Sequence, residues 1–396
     1  MDYIQFKETH MDYVQSYLNF NSPDSLPLEL NIPTETDEYW TSKQRACHSI
    51  HEISYRACYK PQLPAYFINK FCGPDSVIYD PFMGRGTTLI EAQLHGYAAI
   101  GNDINPLSKV LTTPRLNPPT LIDIKQRLAT IELPDGAEID PDLLVFFHID
   151  TLREIYGWRA YFEREDSDNV DAWLQMVACS RLTGHSPGFF SVFTLPPNLA
   201  TSVASQRKIN EKRNQKPEYR DTKALIYRKS KQLLRQQLPN HYWRDDAVLL
   251  TRSADHTPEI SSESVDLVVT SPPFLDIVDY EQDNWLRMWF CDIEIEPGRI
   301  WQIKSLKDWI SRMTDVFVEL NRILKPTGRI AFEVGEVRKG SVNLEESVAM
   351  AALVARLIPE EVLINEQKFT KTANCWGVDN NEKGTNTNRI VILKKN

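Results

Sequence analysis

Residues 77–88, VIYDPFMGRGTT, decide the fold of this chain. Val77–Tyr79 is a short apolar run, rich in β-branched residues, of the kind that forms a buried strand. Gly84 and Gly86 then flank a single residue, so the backbone can turn sharply and lie close to a ligand. Thr87–His95 is compatible with a helix. The stretch therefore predicts a strand, a glycine turn and a helix whose first N–H groups are open to a ligand.

The same strand pattern recurs along the chain, and an apolar-periodic helix is predicted at Leu306–Leu324. The strands alternate with helices and do not alternate polar with apolar residues. We therefore expect a Rossmann-like α/β fold with a mostly parallel, doubly wound sheet covered on both faces. The further strands are predicted at Ala98–Gly101, Ala247–Leu250, Val265–Val269, Arg329–Val334 and Arg389–Lys394.

Composition sets the broad class. The chain has 396 residues and is 42% apolar, enough for one large or two moderate domains. Its six cysteines are scattered singly with no C-x-x-C pair, so neither a metal site nor a disulfide framework is predicted. No run of 18 apolar residues occurs and the N-terminus is polar, so we expect a cytoplasmic protein without a membrane partner.

Charge is distributed unevenly along the chain. The net charge is −9, yet residues 201–244 hold twelve Lys/Arg and three Asp/Glu, whereas the remainder holds 33 basic and 51 acidic residues. A localised phosphate-binding surface and a solvated basic helix face both explain this stretch. The DNA-binding candidates within it are Arg207, Lys208, Lys212, Arg213 and Lys229.

The order of the predicted elements gives three regions. Residues 115–244 interrupt the alternation of strands and helices, and we interpret them as an inserted, basic, largely helical subdomain. It divides a catalytic domain formed by residues 46–114 and 245–396. Residues 1–45 are polar and punctuated by prolines, and we assign them no function.

Acidic residues near the glycine turn indicate the kind of ligand. Asp103 ends the next strand about twenty residues after the turn, where a carboxylate can accept both hydroxyls of a ribose. Without Asp103, a tight strand-to-helix turn would explain the two glycines. A third glycine at dinucleotide spacing is absent, and Asp80 at the start of the loop would repel pyrophosphate. A cationic nucleoside such as S-adenosylmethionine, with its amino and sulfonium groups, fits this loop better.

A second loop follows the strand that ends at Thr270 and reads Ser271-Pro272-Pro273-Phe274. Two prolines fix the backbone and remove two donors, which leaves carbonyl acceptors beside an aromatic ring. Such a loop suits a planar base with an amino group, although it could also simply end a strand. Both loops lie at carboxyl ends of parallel strands, so we expect them to face a shared cleft.

The combination of DPFMGRGTT (80–88), GNDINP (101–106) and TSPPF (270–274) resembles the amino-methylating DNA methyltransferases, which act on N4 of cytosine or N6 of adenine. Weaker similarity at His51–Phe71 and at LNRILKPTGRIAFEVGE (320–336) extends the resemblance over residues 47–112 and 246–395. The resemblance implies a class I methyltransferase fold, S-adenosylmethionine as cofactor, double-stranded DNA as partner, and a cognate restriction endonuclease as a possible second partner. Two departures are the early position of the insertion and Arg85, where family members often have a small residue. Arg85 has three candidate environments, namely target strand, cofactor and solvent.

The resemblance also implies roles for individual residues. Ser rather than Asp at the first position of the second loop favours N4 of cytosine, with N6 of adenine as the main alternative. An RNA amino-methyltransferase and a catalytically silent nucleic-acid-binding subunit stay open as less favoured alternatives. The implied catalytic residues are Ser271, Pro272, Pro273 and Phe274. The implied cofactor residues are Tyr55, Asp80, Pro81, Phe82, Gly84, Gly86, Thr87, Thr88, Asp103, Ile104 and Asp255.

Overall fold

A computed structural model describes residues 32–40, 47–56, 58–196, 199–242, 246–273, 279–335, 344–366 and 387–396. Within these ranges the strands are β1 (Thr34–Asp37), β2 (Val77–Asp80), β3 (Ala98–Asn102), β4 (Val248–Leu250), β5 (Val265–Thr270), β6 (Leu324–Val334), β7 (Leu357–Glu366) and β8 (Thr387–Lys395). The helices are α1 (Gln62–Phe71), α2 (Thr87–Leu94), α3 (Leu107–Leu116), α4 (Leu121–Thr130), α5 (Ile149–Phe162), α6 (Asn169–Cys179), α7 (Val203–Arg213), α8 (Thr222–Leu233), α9 (Tyr280–Phe290), α10 (Leu306–Ile323) and α11 (Leu344–Val354).

All described strands belong to one sheet with the order β1-β7-β8-β6-β5-β2-β3-β4. Strand β8 runs antiparallel to β6 and β7, and every other neighbouring pair is parallel. The apolar positions of β5 are buried on both faces of the sheet, as expected where helices cover both sides. The predicted mostly parallel α/β fold is confirmed.

The predicted strand positions agree with the structure to within a few residues, except that β6 begins earlier. Two strands were not predicted. The residues of β1, TETD, are all exposed, and β7 contains Pro359 and several acids, so neither has the apolar run that marked the others. The prediction also ended helix α10 one residue too late, because Leu324 begins β6.

The inserted region is helical and packs into the main core. Trp158 of α5 and Trp173 of α6 are fully buried, and their indole N–H groups donate to Thr222 Oγ1 at 2.8 Å and Ser230 Oγ at 2.9 Å. They belong to the same hydrophobic cluster as Phe67 of α1, next to the sheet. The insertion is thus fixed rigidly against the catalytic half, while its exact boundaries stay a prediction.

Part of the N-terminal region also belongs to the sheet. Strand β1 pairs in parallel with β7, and Trp40 is buried with its backbone N–H donating to Asn365 Oδ1 at 3.1 Å. Residues 1–31 lie outside the described part of the chain. Among the helices that the structure describes, none has the length and apolar character of a membrane span.

Candidate active site

The two loops singled out by the sequence leave the sheet side by side. Strands β2 and β5 are adjacent and parallel, with Ile78 opposite Leu267. The hydroxyl of Thr270, the last residue of β5, donates to Asp80 Oδ1 at 2.6 Å. Strands β3 and β4 lie on one side of β2 and β5 lies on the other, so the strand order reverses here. Ligand crevices of open α/β sheets lie at such points, and the expected shared cleft is confirmed.

The turn after β2 requires glycine. Gly84 and Gly86 have φ angles of +48° and +74°, in the left-handed region that other residues rarely adopt. A Cβ atom on Gly86 would lie 2.4 Å from Thr112 Cγ2, so a side chain there would displace helix α3. Gly84 N donates to Asp103 Oδ2 at 2.9 Å. The turn is therefore compact and is fastened to the end of β3.

Asp103 is held in place with acceptor capacity to spare. Besides the bond from Gly84, its Oδ1 accepts a hydrogen bond from Asn105 N at 2.9 Å. Burial raises the pKa of this carboxyl, and hydrogen bonds from the Asn105 and Gly84 N–H groups and from the Ser108 side chain act in the opposite direction by stabilising its charged form. The two carboxylate oxygens together have about four lone-pair sites, so the group can accept a further hydrogen bond. A pair of vicinal hydroxyls is a suitable partner.

Asp80 is fully buried where β2 ends. Its carboxylate accepts hydrogen bonds from Tyr59 Oη at 2.6 Å, from Phe82 N at 3.1 Å and from Thr270. Burial outweighs these bonds and raises the pKa of Asp80 to about 6. Asp80 thus joins three elements: the segment before α1, the glycine turn and the strand that leads to Ser271.

Sequence reasoning missed Tyr59. Its hydroxyl contacts both Asp80 and Thr88 Oγ1, the latter at 2.5 Å, so it closes the network beneath the turn. The segment 51–71 was noted as a whole, but nothing in the sequence distinguishes Tyr59 from Tyr55. Only the fold shows that Tyr55 faces the cleft, whereas Tyr59 faces the buried carboxylate.

The cleft between the two loops is partly open to solvent. Its walls combine aromatic and aliphatic groups with the Asp103 carboxylate and the Gly84 backbone. This combination fits a nucleoside cofactor, since a flat base needs apolar walls and a ribose needs acceptors. The lining residues are Tyr55, Pro81, Phe82, Gly84, Asp103, Ile104, Asn105, Ser253, Ala254, Ser271, Pro273, Tyr280, Ile300 and Trp301.

The second loop supplies Ser271 and Pro273 to the same cleft. Pro273 O accepts a hydrogen bond from Trp309 Nε1 at 3.2 Å, which fixes the loop against α10. The Ser271 hydroxyl donates to the carboxylate of Glu333, a buried residue of β6 that sequence reasoning did not single out. Asn388 Nδ2 donates to the same carboxylate at 2.8 Å, and burial raises the Glu333 pKa. Phe274, the fourth residue of the motif, lies outside the described residues.

Five of the predicted cofactor residues do not line the cleft, namely Asp80, Gly86, Thr87, Thr88 and Asp255. Thr87 and Thr88 are buried at the start of α2, and Thr88 Oγ1 donates to Val269 O at 3.1 Å, which ties this helix to β5. Asp255 follows the lining residues Ser253 and Ala254 but is not part of the wall itself. Their contribution to cofactor binding stays a prediction.

Arg85 is partly buried and does not line the cleft. Its guanidinium donates to the carbonyl oxygens of His51 at 3.3 Å and Ile53 at 2.7 Å. Arg115, which is fully buried, donates to Ile50 O at 3.4 Å and to Arg85 O. The two arginines hold the segment that carries Tyr55 into the cleft.

Four of the predicted DNA-binding residues form an exposed group on α7. Arg207 pairs with Asp142 at 2.7 Å, and the Arg213 guanidinium lies 3.7 Å from the centre of the Phe193 ring. Lys229 lies apart from them, because it is on the inner side of α8 with only 6% of its surface exposed. The exposed group comprises Arg207, Lys208, Lys212 and Arg213.

The strand order and the cleft define a class of protein. The sheet is parallel except for one antiparallel strand, β8, which lies between β6 and β7, and a nucleoside cleft follows β2. This is the architecture of a class I methyltransferase that uses S-adenosylmethionine. The cofactor and the fold expected from the sequence are therefore confirmed.

Comparisons with known proteins agree with this class. The N6 and N4 methyltransferase family, described as DNA methylase, matches residues 6–109, a range that holds the glycine turn and Asp103. The Type II methyltransferase M.MvaI of Kocuria varians is 24% identical over 369 residues, 84% of this chain and 75% of that protein. M.BsoBI of Geobacillus stearothermophilus, also a Type II methyltransferase, is 22% identical over 297 residues, 65% of this chain and 55% of that protein. A solved S-adenosylmethionine-dependent methyltransferase of Methanosarcina mazei is 10% identical, with coverage of 83% and 96% of the two chains and a TM-score of 0.34; the fold assignment rests on strand order instead.

The chain is similar to the amino-methylating DNA methyltransferases. It is an S-adenosylmethionine-dependent transferase, as the resemblance implied.

Proposed function

We propose that this protein transfers a methyl group to the exocyclic amine of a base flipped out of duplex DNA, with N4 of cytosine as the preferred target. The observation that carries the proposal is the contact between Thr270 and Asp80, because it brings the Ser271 loop and the cofactor turn to one cleft. S-adenosylmethionine supplies an electrophilic methyl group when bound.

The chain's own residues would hold that cofactor by charge and hydrogen bonding. Asp103 would offer its remaining acceptor capacity to the ribose hydroxyls. Asp80 carries negative charge close to the turn above its pKa of about 6, which favours a cationic ligand. The left-handed glycines let the backbone approach the ligand without a side chain in between.

Ser271 would orient the target amine. An amine conjugated to a base ring is a poor nucleophile because its lone pair is delocalised. The Ser271 proton is directed toward Glu333, so the hydroxyl oxygen is left as an acceptor for one N–H of the amine. The Pro272 carbonyl would accept the second N–H, and both bonds favour the pyramidal geometry from which the nitrogen attacks. Phe274 would stack on the flipped base.

Two further features support a DNA substrate. The exposed cations of α7 form a surface that can neutralise phosphates. Ala200 N, just before α7, donates to Asp283 O at 3.2 Å, which ties the segment before this surface to α9. A restriction-modification setting follows by analogy with the relatives named as Type II methyltransferases.

Nucleoside mass spectrometry of DNA incubated with the full chain and S-adenosylmethionine tests the proposal. We expect N4-methylcytosine, and no product from Ser271→Ala assayed in parallel. N6-methyladenine would overturn the choice of base and keep amino-methylation. If neither nucleoside forms on duplex DNA of diverse sequence, the proposed function is wrong.

A further inference from the structure

Two cations are buried inside the helical region, away from the exposed group on α7. Arg181 directly follows the C-terminal end of α6 and is 8% exposed, and Lys229 on α8 is 6% exposed. We call Arg181 and Lys229 the buried cation pair. A buried charge is costly unless protein groups of opposite charge accompany it.

The buried cation pair has few protein partners. Arg181 Nε makes a long hydrogen bond of 3.4 Å to Ser180 Oγ, and the guanidinium lies 4.0 Å from the centre of the Phe189 ring. Lys229 Nζ donates to Gln232 Oε1 at 3.2 Å. Neither residue forms an ion pair with a carboxylate in the part of the chain that the structure describes.

The surroundings add positive charge. The pKa of Lys229 is lowered to about 7 by burial and then by the charge of Arg181. The pKa of Arg181 is lowered to about 9 by burial and then by Arg287 and Arg228. Glu52 is the carboxylate that acts on Lys229, and it is already bound by Arg235 at 2.5 Å. The local field therefore favours an anion.

The pair lies between an exposed loop and the catalytic cleft. On the outer side, Arg228 Nη2 donates to Pro187 O at 3.2 Å, within the exposed loop 185–187 that leads to Phe189. On the inner side, the charge of Arg287 on α9 lowers the pKa of Arg181. The Arg287 guanidinium lies 5.8 Å from the ring of Tyr55, which lines the cleft.

We propose that Arg181 and Lys229 bind a backbone phosphate of the DNA strand that carries the target base, beside the flipped nucleotide. The inference rests on the proposed function and adds a binding site to it. A guanidinium and an ammonium match a phosphodiester, which offers two oxygen acceptors and one negative charge. A single such contact next to the cleft would position the strand, whereas the α7 cations supply general attraction.

The uncompensated burial gives the site a measurable signature. A structural cation would stabilise the fold, so its removal would lower the melting temperature. A buried cation that is compensated only when a ligand binds destabilises the free protein. Its neutralisation therefore leaves the melting temperature unchanged or raises it.

The test uses full-length Arg181→Gln and Lys229→Gln, with Lys125→Gln, an exposed cation of α4, as the matched control. Binding of a fluorescent 30-base-pair duplex that the wild type methylates is measured as a function of salt, together with the melting temperature and the affinity for S-adenosylmethionine. For each test variant we expect about tenfold weaker DNA binding, a slope of log K against log salt reduced by about 0.9, and a melting temperature that does not fall. The control changes none of these by a comparable amount.

Three outcomes would overturn the site. A variant that melts at lower temperature and retains the wild-type salt slope identifies a structural role. Weaker S-adenosylmethionine binding with an unchanged salt slope identifies the cofactor carboxylate as the anion. Wild-type values throughout leave the pair without a ligand. All three are distinct from failure of the proposed function, in which the wild type itself methylates no DNA.

Discussion

The cofactor end of the cleft and the helical insertion treat charge in opposite ways. At the cofactor end, Asp80 and Asp103 are bound by donors of the chain itself, so their positions are set before any ligand arrives. In the insertion, Arg181 and Lys229 are buried with almost no partners, and the cations of α7 point to solvent. The difference teaches that the acids at the cofactor end are preorganised by the fold, whereas the region for which we propose DNA binding would be completed only by its ligand.

Reversing the charge of the exposed group on α7 has the largest expected effect, which is a loss of DNA affinity. With Arg207, Lys208, Lys212 and Arg213 all replaced by Glu, DNA affinity at about 0.15 M salt should fall on the order of 10³-fold, since each phosphate contact contributes about fivefold there. Fluorescence anisotropy over a salt series measures this. Calorimetric binding of S-adenosylmethionine serves as the control and should not change. Unaltered DNA affinity would show that α7 is only a solvated face.

Ser271→Ala probes the place where the two regions meet. We expect turnover at saturating substrates to fall about 10²–10³-fold, because a bond that orients the reacting amine is lost. The affinity for S-adenosylmethionine should be retained, since the Asp103 network is untouched. Ser264→Ala, directly before β5, removes a hydroxyl outside the cleft and is the matched control. Equal activity of the two variants would remove Ser271 from the mechanism.

Asp103→Ala should have the converse effect. The variant loses the carboxylate that would accept two ribose hydroxyls. Because a hydrogen bond to a charged group contributes about 1.5–3 kcal/mol, we expect cofactor binding to weaken by about 10²-fold. Turnover at saturating cofactor should be largely preserved. Calorimetric titration with S-adenosylmethionine measures the loss, and Asp166→Ala, at an exposed loop position, controls for the removal of one acid. Loss of turnover without loss of affinity would contradict the assignment.

The smallest expected effect is a dependence of DNA binding on pH. The pKa of Lys229 is lowered to about 7, and the side chain must be protonated to hold a phosphate. DNA binding is therefore coupled to the uptake of one proton by Lys229. Affinity should be constant below about pH 6 and fall about tenfold by pH 8, as the free protein loses that proton. The charged groups that act on Lys229 are Arg181, Glu52 and Arg235. Lys229→Arg should bind DNA with a flat pH profile, and a profile equal to that of the wild type would assign the titration elsewhere.

Sequence alone predicted those elements whose physical cause is local. The glycine turn was predictable because left-handed backbone favours glycine at positions 84 and 86, and β5 was predictable because a central parallel strand is mostly apolar. The shared cleft of the two loops was expected from the fold class, and the structure forms it by pairing β2 with β5.

What sequence could not predict depends on contacts between distant segments. Tyr59 and Glu333 become parts of the site only because folding brings them to Asp80 and Ser271. The burial of Lys229 follows from the packing of α8, and in the sequence this lysine looks like its exposed neighbours. Strand β1 owes its structure to hydrogen bonding with β7, since its own residues carry no strand pattern.

The two edge strands of the sheet, β1 and β4, have a consequence for solubility. Both are short as described, with four residues in β1 and three in β4, and β1 carries Glu35 and Asp37. A long, flat, uncharged edge strand can pair with strands of other molecules and seed aggregates. A short acidic edge strand offers few unpaired amides and repels the same strand of another copy. A large parallel sheet assembled from distant parts of the chain forms slowly, so this guard acts while the newly made protein is most vulnerable.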